Sequence, residues 1–427
     1  MTLTSLSFSD VSALEILDSR GNPTLQVTLT DSGGRPAVAG VPSGASTGSR
    51  EAVELRDAEP ERYAGKGVTG AVENVTGELA DLLRSRAWGS LEELDQAMIE
   101  LDGTPTKSRL GANALVGVSM AAARAFAGAE PVWRFLQPEG VAARLPVPHF
   151  NVLNGGVHAP NDLDFQEFMI APVGSPSFPE ALRAGAAVYA QLRALLHDRG
   201  EATGLGDEGG FAPNIAEPED VLRLIVQAIT DAGYPTGLDG VAIALDPASS
   251  EFFRDGRYHV AGQALSTDDL ITRYEQMVVD FPVWSLEDGL AEGDWDGWQR
   301  LTERLGDRVQ LVGDDIFVTN PAIVTEAIDR SVGNACLIKL NQIGTVTETL
   351  RTQAICREAG YAQMVSHRSG ETADAFIADL TVATGCGQLK SGAPARGERV
   401  AKYNRLLEIA ASEPALPYGL LPAHRRG

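Results

Sequence analysis

The chain has 427 residues, 44% of them apolar and 22% charged, which excludes a disordered chain and one that needs disulfide staples. Its 35 basic and 58 acidic side chains give a net charge of −23, which argues against nucleic acid or an anionic membrane as the main partner. Cys336, Cys356 and Cys386 are widely spaced and form no ligand pair, so free buried thiols in a reducing, cytoplasmic compartment are expected.

The opening MTLTSLSFSD has neither the basic start nor the apolar stretch of a signal peptide, and no apolar run approaches the ~18 residues of a membrane span. The first 45 or so residues then read as strands. Leu25, Val27 and Leu29 alternate with Gln26, Thr28 and Thr30, and the turns fall at Gly21-Asn22-Pro23 and Asp31-Ser32-Gly33-Gly34. Helical spacing follows in Val68, Val72, Val75, Leu79 and Leu82, and again in Leu91, Leu94, Met98 and Leu101. A small α+β unit is therefore expected over residues 1–138, with Leu145-Pro146-Val147-Pro148 as a hinge into a second unit, 139–427.

Beyond about residue 200, short apolar strands alternate with helical stretches. The strands are 241–245, 283–286, 309–312, 336–338, 362–365 and 387–389. So many β/α units in one body favour a closed barrel of the TIM type over an open sheet, an α/β class. Each strand runs into an ionisable residue: Asp246, Glu287, Asp314, Lys339, His367 with Arg368, and Lys390. In such a barrel all those strand ends meet at one mouth, so the six positions converge.

Three carboxylates without cysteine or a histidine pair are hard oxygen ligands and suit magnesium rather than zinc. Lys339 sits in the apolar run Cys336-Leu337-Ile338-Lys339-Leu340, either as a structural partner to a carboxylate or as a base. Burial and nearby metal cations both lower a lysine pKa, and the company of the carboxylates favours the base. Glu208, within Gly206-Asp207-Glu208-Gly209-Gly210, is either part of a surface turn or an acid that glycines bring close to a ligand. The second glycine-rich loop, 43–48, lacks the lysine of a phosphate-binding loop and reads as a mobile lid. Arg368 and Ser369 precede Gly370-Glu371, where a helix is expected to begin and to complete an anion site.

These segments resemble the enolase family in family order over nearly the whole chain. The matching stretches include DSRGNPT (18–24), VPSGASTG (41–48), EAVELRD (51–57), NVLNGGVHA (151–159), QEFMIAPVG (166–174) and GDEGGFAPN (206–214). They continue with ALDPASSEF (244–252), SLEDG (285–289), VGDDIFVTN (312–320), IKLNQIGT (338–345), SHRSGET (366–372) and SGAPARGERVAKYNRLL (391–407). The chain departs from the family's usual pattern at Val157, where a polar residue is common.

The resemblance implies a three-stranded, helix-backed N-terminal domain and a modified barrel whose second strand is antiparallel. It implies the reversible dehydration of 2-phosphoglycerate to phosphoenolpyruvate. Lys339 then corresponds to the base at C2 and Glu208 to the acid at the C3 hydroxyl, with Glu167 beside it. Asp246, Glu287 and Asp314 match the ligands of a first magnesium, and Ser46 on the lid matches the group meeting a second ion brought by substrate. Gln166, Arg368, Ser369 and Lys390 match substrate-binding positions, and His158 and His367 the active-site histidines. At least a homodimer, sometimes an octamer, is implied. Two magnesium ions with the pocket's cations would keep the site positive inside an acidic protein. A related racemase or lactonising enzyme would carry a K-x-K strand and lack the GDEGG loop, and a non-catalytic scaffold would tolerate loss of Lys339 or Glu208; a binding role added to the enzyme stays open.

Overall fold

The computed structural model describes residues 5–45 and 47–425. At the N-terminal end β1 (Phe8–Leu17), β2 (Pro23–Asp31) and β3 (Pro36–Gly40) form an antiparallel sheet in chain order. The alternation in β2 holds: Leu25, Val27 and Leu29 are fully buried while Gln26, Thr28 and Thr30 are half-buried. The helix Ala112–Ala127, buried almost all round, lies on β2 and β3. Gly117 permits that approach, because a Cβ there would come within 2.7 Å of Val27.

The helical segment 69–84 contains a π-turn at Val75–Leu79. Val68, Val75 and Leu79 are buried as the spacing predicts, but the wider turn rotates the stripe, so Leu83 is buried and Leu82 only half-buried. The helix Leu91–Asp102 is capped by Ser90, whose hydroxyl accepts from the Glu93 amide, and it buries Leu91, Leu94 and Met98.

The barrel has eight strands. They are β4 (Val147–Asn154), β5 (Glu167–Ala171), β6 (Ala242–Asp246) and, after a small separate sheet of β7 (Phe253–Arg254), β8 (Arg257–Val260) and β9 (Gln263–Leu265), five more. These are β10 (Val283–Glu287), β11 (Gln310–Gly313), β12 (Ala335–Ile338), β13 (Ala362–Ser366) and β14 (Gln388–Lys390), which closes against β4. All neighbours are parallel except β5, which runs antiparallel to both β4 and β6. The six strands predicted beyond residue 200 are all present within a residue or two.

The expected hinge is corrected: Val147 and Pro148 begin β4. Pairing with β5 starts only at Phe150, so the proline's missing N–H removes no bond on that side. Helices between the strands bury one face each. In Trp295–Leu305, capped by Asp294, the buried Trp298, Leu301 and Leu305 follow helical spacing.

Inside the barrel, Val147, Ala171, Ala242 and Trp284 pack together at the strands' lower end, and Ala335, Leu337, Ala362, Met364 and Val312 form a second apolar cluster. The interior is therefore a packed core with its polar groups at the mouth. The three cysteines are buried and free. Among the described residues no helix is long and apolar enough to cross a membrane.

Candidate active site

Five strand ends deliver charge to the mouth. Asp246 is the last residue of β6, Glu287 the last of β10 and Lys390 the last of β14. Lys390 Nζ binds all of its side, at 3.0 Å from Asp246 Oδ2, 2.8 Å from Glu287 Oε1 and 3.0 Å from Glu167 Oε2. Burial opposes its charge, but these carboxylates hold the Lys390 ammonium well above the usual lysine range. Burial and the neighbouring charge of Asp246 push Glu287 well up.

Asp314 and Lys339 follow β11 and β12 and form a second pair, with Lys339 Nζ 2.5 Å from Asp314 Oδ2. Gln342 Nε2 donates to Asp314 Oδ1 at 2.8 Å. Burial pulls the Lys339 pKa down as anticipated, yet the carboxylate of Asp314 outweighs it and the net shift is upward. The lowered lysine expected from sequence is thus corrected for this charge arrangement: the ammonium is stabilised by the carboxylate in contact with it. The Asp314 turn is held by Asp288, whose two oxygens accept from the Asp314 and Asp315 amides, each at 2.9 Å.

Opposite in chemistry is a carboxylate pair. Because β5 is reversed, its first residue, Glu167, lies at the mouth and pairs in register with Asp246. His158 Nδ1 is 3.6 Å from Glu167 Oε1 and 3.8 Å from Glu208 Oε1. Glu208 Oε2 accepts from Asn151 Nδ2 at 3.1 Å and lies 3.1 Å from His367 Nε2. Burial, then the charge of Glu208, drives the Glu167 pKa far up, so Glu167 is the protonated member of the pair. Burial also pushes His367 down to about 3 and His158 down from its ordinary value, so both rings are neutral at pH 7.

The anion-binding side differs from expectation in one respect. No helix begins at Gly370-Glu371; the next one is Phe376–Thr384. Gly370 instead exchanges backbone bonds with Ser43 of the glycine-rich loop, at 2.7 and 2.9 Å, which extends the chain there. Arg368 is present and buried, but its guanidinium is gripped by Glu51, with Nη1 2.9 Å from Oε2 and Nη2 3.2 Å from Oε1, and by Asn341 Oδ1 at 3.0 Å. Gly44 of the same loop lies against this guanidinium: a Cβ there would stand 2.2 Å from Nη2. Ser369 Oγ is 3.2 Å from His158 Nε2. Ser46 lies outside the described residues.

One small polar cavity is lined by His158, Gln166, Glu167, Glu208, Asp246, Asp314, Lys339, His367, Arg368, Ser369 and Lys390. Two groups of ligand atoms lie within 4.8 Å of one another among the described residues: His158, Glu167 and Glu208, and Asp288, Asp314 and Asp315. The oxygens of Asp288 are already engaged by amides, so it serves the turn. The predicted set Asp246, Glu287 and Asp314 is neither of these groups, yet its chemistry suits a hard divalent cation: three buried carboxylates, of which Glu287 Oε2 accepts no hydrogen bond among the described residues.

Sequence reasoning missed Glu51, Asn151, Asp288 and Arg399, the last bonded to His367 Nδ1 at 2.6 Å. Glu51, Asn151, Asp288 and Arg399 all lie within the family-like stretches, the only signal that could have found them.

Comparison with known proteins covers both units. The family model for the enolase N-terminal domain matches residues 8–136, and that for the enolase C-terminal TIM barrel domain matches 142–415. The enolase of Rubrobacter xylanophilus is 55% identical over 403 residues, 93% of each chain. That of Acidothermus cellulolyticus is 56% identical over 401 residues, again 93% of each.

Proposed function

The chain belongs to the enolase family, and we propose that it dehydrates 2-phospho-D-glycerate reversibly to phosphoenolpyruvate at the barrel mouth, with magnesium. The carrying observation is that one small cavity holds a lysine–carboxylate pair and a carboxylate–histidine group on different elements. An elimination needs these two functions, one to remove a proton and one to supply one.

Lys339 is the base that takes the C2 proton. It must first lose its own proton, and a cation on Asp314 would weaken the hold that keeps it charged. Glu208 is the acid at the C3 hydroxyl. It draws on Glu167, the protonated carboxylate beside it, with His158 between the two. Lys390 and Arg368 are assigned to the substrate's anionic groups, with Gln166 and Ser369 as neutral donors. Arg368 binds substrate only once Glu51 yields, so anion binding and lid position are linked.

Asp246, Glu287 and Asp314 would hold the first magnesium, and Ser46 would meet a second arriving with substrate. When bound, magnesium supplies positive charge where ionisation at C2 adds negative charge to the carboxylate. A two-unit division at residue 138/139, a homodimer or larger homo-oligomer and a cytoplasmic setting complete this reading; they rest on the family resemblance and composition. The test is direct: phosphoenolpyruvate formation from 2-phosphoglycerate, followed with magnesium and with a chelator. No product with magnesium would end the proposal.

A further inference from the structure

Arg399 carries no charge-balancing role in the chemistry above, yet its guanidinium is fully buried among three loops of the site. It stands on the helix Gly397–Ser412, behind the barrel mouth. Nη1 donates to the Arg368 carbonyl at 2.6 Å and approaches His367 Nδ1 at 2.6 Å. Nη2 donates to the Ser369 carbonyl at 2.5 Å, the Asp207 carbonyl at 3.1 Å and Ser19 Oγ at 3.3 Å. One side chain thus ties the N-terminal loop, the loop bearing Glu208 and the loop bearing Arg368.

The contact with His367 has a consequence for proton positions. A guanidinium has donors and no acceptor, so the ring nitrogen it meets must present a lone pair. His367 is neutral, hence its single ring proton is on Nε2. That nitrogen is 3.1 Å from Glu208 Oε2, the same oxygen that accepts from Asn151 Nδ2. Oε2 therefore accepts from Asn151 and has the His367 N–H beside it at 3.1 Å, close but not aligned as a hydrogen bond. Oε1, on the side of His158, is the oxygen left to carry a transferable proton.

We propose that Arg399 is a positioning residue: it holds His367 as the Nε2–H tautomer and thereby reserves Glu208 Oε1 for the proton that leaves with the C3 hydroxyl. The consequence for catalysis rests on the dehydration reading, whereas the tautomer itself does not. Without Arg399, His367 could carry its proton on Nδ1 and turn a bare Nε2 to Glu208. A proton passed to Glu208 during turnover would then be drawn onto Oε2 to bond the ring, and not held on Oε1 where the C3 hydroxyl needs it.

The test reads the ring directly. In full-length protein with 15N-labelled histidine, of which the chain has six, two-bond 15N–1H correlation distinguishes the tautomers, and His367→Gln assigns the signal. The expected result at neutral pH is a bare Nδ1 and a protonated Nε2; a protonated Nδ1, or an imidazolium, overturns the proposal. This reading needs no turnover, so it stands apart from any failure to form phosphoenolpyruvate. In Arg399→Met, kcat should fall roughly 10²-fold with KM changed far less, and the His367 signals should move toward mixed tautomers. Arg399→Lys, which restores one donor to Nδ1, should recover part of both. A folded Arg399→Met protein with the wild-type tautomer would equally overturn the assignment. If that variant fails to fold, the wild-type spectrum still decides.

Discussion

Glu167 and Asp246 face each other directly across antiparallel strands, one as the first residue of β5 and the other as the last of β6. A parallel second strand would have left its first residue at the packed lower end. Reversal instead adds a fifth carboxylate to the mouth, and burial with so many like charges keeps Glu167 protonated. Glu167→Gln should preserve or raise thermal stability, because it replaces a strained acid by a neutral isostere. It should also lower kcat by roughly 10²-fold, because the amide cannot pass a proton to Glu208. Unchanged turnover would remove Glu167 from the proton path.

Lys339, the proposed base, and Glu208, the proposed acid, lie on different elements, so the half-reactions should separate. Lys339→Ala is expected to lose exchange of the C2 proton of 2-phosphoglycerate with solvent deuterium. Glu208→Gln is expected to retain much of that exchange while losing dehydration. Proton exchange by NMR and product formation by absorbance measure the two steps. Normal turnover in both variants would show the roles to be misassigned.

On the proposed reading, substrate would compete with Glu51 for Arg368. Glu51→Gln keeps an acceptor for the Gly48 amide, 3.1 Å away, but removes the charge that grips the guanidinium. A charge-assisted pair contributes about 1.5–3 kcal/mol, part of which is replaced by the neutral amide. Binding of the substrate anion, followed by calorimetry, should tighten by about five- to tenfold. Weaker binding would mean that Glu51 chiefly shapes the glycine-rich loop.

Asp95 predicts a pH dependence of stability away from the site. Its Oδ2 accepts from the amide and hydroxyl of Thr347, at 3.0 and 2.6 Å, where the helix Leu91–Asp102 meets the barrel. Burial lifts its pKa from 3.8 to about 6. The folded state therefore binds the proton more tightly than the unfolded one, so the penalty is absent below about pH 4 and complete above about pH 6. Stability from this residue falls as pH rises through that window. Asp95→Asn removes the titration, and its stability relative to wild type should improve by about 1.4 kcal/mol between pH 5 and pH 8 in urea unfolding. A difference that is constant with pH would contradict this.

Magnesium should stabilise the folded chain. At a concentration one hundred times its dissociation constant, a ligand bound only by the folded state adds about 2.7 kcal/mol. Thermal unfolding with and without magnesium should show the shift in wild type, and Asp246→Asn or Glu287→Gln should diminish it. The same shift in both variants would place the ion elsewhere.

Local pattern made much of this molecule legible. Leu25, Val27 and Leu29 show their alternation within a few residues, and the strands beyond residue 200 announce themselves as apolar runs ending in a charge. Because parallel strands of a barrel end at one mouth, the sequence alone groups Asp246, Glu287, Asp314, Lys339 and Lys390. β4 and β5 could not be read that way. Both are buried along their whole length, so no alternation marks them, and Val147-Pro148 resembles a turn.

The carboxylates and lysines at the strand ends, with their expected convergence, are thus properties of the sequence. Their pairing is not. Lys390 holds three carboxylates, Lys339 is claimed by Asp314, Arg368 by Glu51 some 317 positions away, and His367 by Arg399. Residue type and spacing specify which charges are present and which face is buried. Which charge meets which depends on closure of the barrel and on how the N-terminal unit docks, and those contacts set the protonation states that the chemistry uses.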